Sequence, residues 1–178
     1  MFLDRDGVLN EAIVRDGMPY SPETLSELVI VPDAKSSLTK LRDSGFRLIV
    51  VTNQPDIARG KMTRQAVDAM NAHLMRELPL DDVEVCPHDN ADACDCRNPQ
   101  PGMLLRAAQR YGVELGRSFM VGDRWRDIEA GRRAGCSTIL IGDGYSEGIK
   151  SKPDVTVATL AEAAHWIITE TNRSRGRT

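Results

Sequence analysis

The run Arg47-Leu48-Ile49-Val50-Val51-Thr52 is almost continuously apolar and rich in β-branched residues. A strand with one wet face alternates polar and apolar residues, so a run without alternation predicts a strand buried on both faces. That is the situation of parallel sheets covered by helices on either side. Further strand-length segments are Met1-Phe2-Leu3, Val83 to Cys86, Ser118 to Val121, Ser137 to Ile141, and the pair Val155 and Val157. Between them run stretches of helical period. Residues 33–44 place Leu38 and Leu41 on one face and stop at Gly45. A longer helix starts at the cap Thr63, carries Ala66, Val67, Met70 and Leu74 as a stripe, and ends before Pro79. Helices are also expected over 101–111, with Leu104, Ala107 and Ala108 on one face, over 125–134, and over 160–171. Strands alternating with helices predict an α/β fold with a mainly parallel sheet.

At 178 residues, without internal repeat or linker, the chain fits one domain, expected over 1–172. The end Asn172-Arg173-Ser174-Arg175-Gly176-Arg177-Thr178 is expected to be basic and disordered from residue 173 to 178. A net charge of −3 argues against a general nucleic-acid binder, so an anionic substrate would have to be drawn by local cations. No apolar run is long enough to span a membrane. The start lacks the pattern of a secretory signal, which Asp4 and Asp6 would interrupt. A cytoplasmic protein is therefore expected.

Chemistry concentrates at strand ends. Asp4-Arg5-Asp6-Gly7 follows the first strand, Thr52-Asn53 ends the central run, and Gly122-Asp123-Arg124-Trp125-Arg126-Asp127 follows another. In a parallel sheet all three open on one edge, where ligands of open α/β sheets bind. Taken alone, the first pair of acids reads equally as a solvated acidic turn. Convergence favours a nucleophile, Asp4, and an acid/base partner, Asp6, acting on a phosphate ester. Mg²⁺ is expected to offset the repulsion between carboxylate and phosphate, held by Asp4, Asp6 and Asp123. Asp127 reads equally as a further ligand and as a first-turn acid favoured by the helix dipole. The Thr52 hydroxyl and nearby backbone N–H groups suit the non-bridging phosphate oxygens.

Cys86, His88, Cys94 and Cys96 crowd into eleven residues. Three thiolates and an imidazole make a closed tetrahedral set for structural Zn²⁺, which would staple a loop. Cys136 is expected in the core, and His73 and His165 carry no assigned role.

Together these motifs resemble the haloacid-dehalogenase-like phosphatases. Within them the chain is similar to the subgroup of D-glycero-D-manno-heptose 1,7-bisphosphate 7-phosphatases and bacterial histidinol-phosphatases. The residues that carry the resemblance are Phe2 to Asn10, Val51-Thr52-Asn53-Gln54, Ile57-Ala58-Arg59-Gly60, and the cysteine-histidine cluster. Pro99, Pro101-Gly102-Met103 and Val121 through Ile128 complete it, so that it reaches about residue 142. The resemblance implies a Rossmann-like sheet without a large cap domain. It also implies catalysis by Asp4 and Asp6, and phosphate or substrate contacts at Thr52, Asn53, Arg59, Arg97 and Asn98. A small phosphorylated sugar is the implied substrate and a monomer the implied state. Neither a nucleic acid nor a membrane is expected as a partner.

The chain departs from the family after Cys96-Arg97, where a lysine usually neutralises nucleophile and phosphate. Asn98 stands there and brings no charge, leaving Arg97 as the candidate substitute. Pro55-Asp56 is a smaller departure, since the heptose enzymes tend to carry a small residue and glycine there. Three alternatives therefore stay open: heptose bisphosphate, histidinol phosphate or another small phosphomonoester, and a phosphate-ligand-binding protein with impaired catalysis.

Overall fold

The computed structural model describes residues 1–176. Six strands form a sheet that is parallel at every pairing: β1 (Phe2–Leu3), β4 (Ile49–Asn53), β5 (Asp82–Cys86), β6 (Phe119–Gly122), β7 (Ser137–Ile141) and β8 (Val155–Val157). Their spatial order is β5-β4-β1-β6-β7-β8. Two three-residue strands, β2 (Ile13–Arg15) and β3 (Met18–Tyr20), form a separate antiparallel hairpin. The helices are α1 (Ala34–Asp43), α2 (Arg64–Glu77), α3 (Gly102–Tyr111), α4 (Trp125–Ala134) and α5 (Leu160–Arg175).

Side chains alternate across the sheet and divide the core in two. Leu3, Val50, Val121 and Ile139 face α1, α2 and α5, whose Leu38, Leu41, Val67, Met70, Leu74, Ala163 and Ile167 share one buried cluster. Phe2, Ile49, Val51 and Met120 face α3 and α4 with Leu104, Ala107, Ala108, Ala130 and Cys136. Each fully buried aliphatic side chain contributes roughly 1.5–3 kcal/mol, so the middle strands are fixed from both faces. The Thr63 hydroxyl accepts from the Ala66 N–H at 3.1 Å and caps α2 as its position predicts.

The strands and helices read from the sequence are present, with two differences. The hairpin β2–β3 is an addition, and α5 continues past the expected Thr171 to Arg175. Residues 173–175 are thus helical where a disordered tail is expected, because Ile167 and its neighbours anchor the helix and each added turn propagates cheaply. Residues 177 and 178 lie outside the described residues.

β1 sits where the chain reverses its direction of travel across the sheet. From β1 it moves outward through β4 and β5, then returns to the other side of β1 as β6. Loops leaving β1 and β6 therefore diverge and open a crevice at the strands' carboxyl ends. Among the described residues no domain-sized insertion covers that edge, which segments 4–33, 54–63 and 87–101 surround.

Candidate active site

Asp4 continues β1, its N–H donating to the Val121 carbonyl at 2.9 Å. Asp123 follows β6 directly, and Asp127 lies in the first turn of α4. One carboxylate oxygen of each can be chosen so that all three lie within 4.8 Å of one another, and all three residues are buried. Two glycines make this convergence possible. Gly7 has φ +87, and a Cβ there would stand 1.8 Å from Asp123 Oδ2. A Cβ on Gly122 would stand 2.2 Å from the Asp127 Cβ.

Gathering three buried carboxylates disfavours their charged forms. Burial raises Asp4 well above the usual range, and the charges of Asp127, Asp123 and Asp6 raise it further. Burial, then Asp127, lifts Asp123 to about 8 against the opposing hydrogen bond from Tyr145, whose hydroxyl donates to Oδ2 at 2.6 Å. Burial also raises Asp127, which accepts from Asn98 Nδ2 at 2.7 Å and from the Arg124 N–H at 3.2 Å. Asp123 Oδ1 is buried with no hydrogen-bond partner among the described residues. An orphaned, buried carboxylate oxygen on one member of a group of three carboxylates suits a hard divalent cation, and Mg²⁺ fits this donor set.

Asp127 accepts at its own helix start, and its carboxylate also lies with those of Asp4 and Asp123. The Asp6 carboxylate, expected from the sequence among the metal ligands, does not lie in this group of side-chain oxygens. Its oxygens are taken by Arg5 Nε at 3.1 Å and Nη2 at 3.0 Å, Asn10 Nδ2 at 3.0 Å, Ser21 Oγ at 2.8 Å and Gln54 Nε2 at 2.8 Å. Burial alone would raise Asp6, but the Arg5 charge and these hydrogen bonds outweigh it and hold Asp6 below the usual range. Without a bound cation the two neighbouring acids thus lie in opposite electrostatic surroundings, Asp4 pushed up by burial and by the other acids, Asp6 held down by Arg5 and its hydrogen bonds.

A cavity of about 310 Å³ opens above the cluster, lined by Thr52, Asn53, Arg59 and Arg97 as well as the acids. Thr52 is buried, its Oγ1 accepting from Gln54 Nε2 at 2.9 Å. Arg59 pairs with Asp89 at 2.8 Å and Asp56 at 3.1 Å. Arg97 lines the cavity while its Nε donates to Asn90 Oδ1 at 2.9 Å and its Nη1 to the His88 carbonyl at 3.1 Å, which ties these two donors to the cysteine loop. Asn98 is fully buried beside Asp127 and lies outside the cavity lining. Among the described residues no lysine lines the cavity.

Several lining residues escape the sequence reading. Arg124 is paired with Glu147 at 2.5 Å, and Arg126 stacks on Trp125 with its guanidinium 4.9 Å from the ring centre. Two arginines within the Asp123-to-Asp127 motif were the available signal. Met18, Pro19, Tyr20 and Ser21 bring the hairpin to the cavity mouth.

The Cys86, His88, Cys94 and Cys96 ligand atoms also lie within 4.8 Å of one another. Sulfur and Nδ1 separations are 3.2–3.7 Å except for Cys86 to Cys96 at 2.8 Å, and all the thiols are free. Tetrahedral ligands about 2.3 Å from Zn²⁺ stand roughly 3.8 Å apart, so the set fits that ion after a small outward shift. Cys136 is buried in the core, His165 is exposed and His73 half-buried.

A family model described as HAD-hydrolase-like matches residues 95–163. The D-glycero-beta-D-manno-heptose-1,7-bisphosphate 7-phosphatase of Pseudomonas aeruginosa is 37% identical, with 86% of each chain covered. The Escherichia coli K12 enzyme of the same name is 34% identical over 94% of this chain and 87% of its own. A crystal structure of the D,D-heptose 1,7-bisphosphate phosphatase of B. bronchiseptica, complexed with magnesium and phosphate, superposes with a TM-score of 0.83. That match covers 96% of this chain and 98% of that one at 29% identity. The fold, the acidic crevice and these relatives lead to one family: the chain belongs to the haloacid-dehalogenase-like phosphatases, in the heptose-bisphosphate 7-phosphatase group, and is a phosphoric monoester hydrolase.

Proposed function

We propose that the chain removes the 7-phosphate from D-glycero-D-manno-heptose 1,7-bisphosphate through an aspartyl phosphate at Asp4. The observation that carries this is the meeting of Asp4, Asp123 and Asp127 under an arginine-lined cavity, in a chain 37% identical to a named enzyme of that activity. Asp4 attacks phosphorus, and the bond to the sugar oxygen breaks. Asp6 gives that oxygen a proton. Asp6 then takes a proton from the water that attacks the aspartyl phosphate, releasing phosphate and restoring Asp4. Thr52 and Asn53 hold the non-bridging oxygens, and Arg59 and Arg97 the remainder of the anion. Asp4, Asp123 and Asp127 would hold Mg²⁺, which supplies positive charge against the repulsion between carboxylates and phosphate. Cys86, His88, Cys94 and Cys96 hold one structural Zn²⁺. The acting unit under this reading is a cytoplasmic monomer, in keeping with cysteines clustered as metal ligands more than as disulfide partners.

Phosphate release from heptose bisphosphate, sugar monophosphates and histidinol phosphate tests the reading. The bisphosphate should be hydrolysed best, in a Mg²⁺-dependent manner, and Asp4→Asn should lose about a thousandfold or more. Preference for histidinol phosphate would move the chain to the second substrate class. Asn98 supports a different reading, a phosphate-ligand-binding protein of slow turnover; tight binding without hydrolysis of any of these esters would select it.

A further inference from the structure

Among the described residues Arg5 is the largest fully buried side chain, and no proposed step uses it. A buried guanidinium costs several kcal/mol unless every donor is well paired, and an apolar residue would fill the same space more cheaply. Its surroundings are specific. Nε and Nη2 form a fork on the two Asp6 oxygens at 3.1 and 3.0 Å, while Nη1 donates to Asn71 Oδ1 at 3.0 Å. Asn71 is buried on α2 between Val67, Met70 and Leu74, the residues that pin that helix to the sheet. The orientation of the Asp6 carboxylate is thereby referred to the core.

The other three donors to Asp6 are of a different kind. A carboxylate offers about four acceptor positions, and five donor atoms already converge on this one. One must yield when a substrate oxygen arrives. Gln54 Nε2 has Thr52 Oγ1 as a second acceptor at 2.9 Å, and Ser21 lies in the segment beyond the hairpin, so either can give way. The fork has no second acceptor on offer and stays.

We propose that Arg5 is a positioning residue for proton transfer: anchored by Asn71, its fork fixes the direction in which the Asp6 carboxylate meets the leaving oxygen. The proposal rests on the acid/base assignment of Asp6 made above, and it places Asn71, which is absent from the lining of the acidic cavity, in the catalytic support.

Leaving-group dependence separates this from a purely structural role. p-Nitrophenolate departs without a proton, whereas a sugar alkoxide needs one. Single-turnover phosphoryl transfer is measured with Mg²⁺ present, from p-nitrophenyl phosphate and from whichever alkyl phosphate the wild-type protein accepts. Arg5→Lys keeps the charge and removes the fork. It should slow transfer from the alkyl phosphate about 10- to 100-fold and transfer from p-nitrophenyl phosphate less than about 3-fold. Asn71→Leu, nearly the same size, should show the same selectivity with a loss of about 3- to 10-fold, and it carries the test if Arg5→Lys does not fold. Equal losses on both substrates, or no loss on either, overturn the proposal. Heptose bisphosphate turnover by wild-type protein is scored separately, so failure of the substrate assignment is distinguishable from failure of the positioning role.

Discussion

Asn98 donates through Nδ2 to Asp127 Oδ1 at 2.7 Å, while its backbone N–H donates to Asn53 Oδ1 at 3.1 Å. It therefore ties the end of β4 to the first turn of α4 across the crevice, aiming Asp127 without neutralising it. An ammonium at this place would add a charge-assisted bond, worth about 1–1.5 kcal/mol more than the neutral one. Asn98→Lys should accordingly raise kcat/KM for phosphate release about 5- to 10-fold. Asn98→Leu removes the aim and should weaken Mg²⁺ activation about tenfold. Phosphate release titrated with Mg²⁺ measures both, and unchanged curves for the pair would refute this role.

The acidic cluster makes stability depend on pH in an unusual direction. An acid whose native pKa is raised stabilises the fold at low pH and loses that contribution as pH climbs to the native value. Asp123 at about 8, together with the raised Asp4 and Asp127, should make metal-free protein less stable from about pH 4 to pH 8. Asp6, held below its usual range, acts oppositely and gives up its contribution only on stronger acidification. Mg²⁺ removes the repulsion, so it should stabilise more at pH 8 than at pH 5. If the difference is about 2 kcal/mol, the gain in melting temperature should be larger by about 4–8 °C at the higher pH. Thermal unfolding with and without Mg²⁺ at the two pH values decides it.

The sheet was legible because its strands are apolar on both faces and its helices carry one-sided stripes. Thr63, Gly45 and Pro101 also mark helix ends through their own backbone chemistry. The hairpin β2–β3 was not legible by periodicity, since its strands have three residues each and neither face is fully buried. Its turn did carry a signal in Asp16-Gly17, both with positive φ, the residue types that tight hairpin turns favour. That Asp4, Asp123 and Thr52 would meet at one sheet edge could be read from strand ends alone. The separation of Asp6 from the cluster could not, because it depends on Ser21, Gln54 and Asn10, polar residues without distinctive spacing. Tyr145 and Glu147 follow β7, and only the folded chain brings them to Asp123 and Arg124.

Removing a ligand from the cysteine loop tests the second metal. Arg97 bonds to the His88 carbonyl and Asn90, so the loop's shape also sets one wall of the cavity. Purified protein should contain about one zinc per chain, and Cys94→Ser should lose most of it. A cost of about 3 kcal/mol would lower the melting temperature by about 6–12 °C. KM should rise more than kcat falls, because Arg97 is displaced while Asp4 and Asp6 are not. Metal analysis, calorimetry and steady-state kinetics on the same preparation check the three consequences, and zinc-free protein of unchanged stability would refute the structural role.

Gly7 is the position where a single methyl group should separate folding from function. Its φ of +87 strains any L side chain, and the added Cβ would fall 1.8 Å from Asp123 Oδ2 and 3.0 Å from the Tyr145 hydroxyl. Backbone hydrogen bonds hold the turn on both sides: the Gly7 N–H donates to the Asn10 carbonyl at 2.7 Å, and the Leu9 N–H to the Arg5 carbonyl at 2.8 Å. The turn cannot swing far without breaking them, so the carboxylate of Asp123 is the group that must move. Gly7→Ala should cost about 1–3 kcal/mol in stability, leaving a folded protein. It should reduce phosphate release more than 100-fold and require far more Mg²⁺ for half-maximal rate. Circular dichroism, denaturant unfolding and a Mg²⁺ titration of activity together test this. An alanine variant with ordinary Mg²⁺ dependence would mean that Asp123 is not a ligand of the ion.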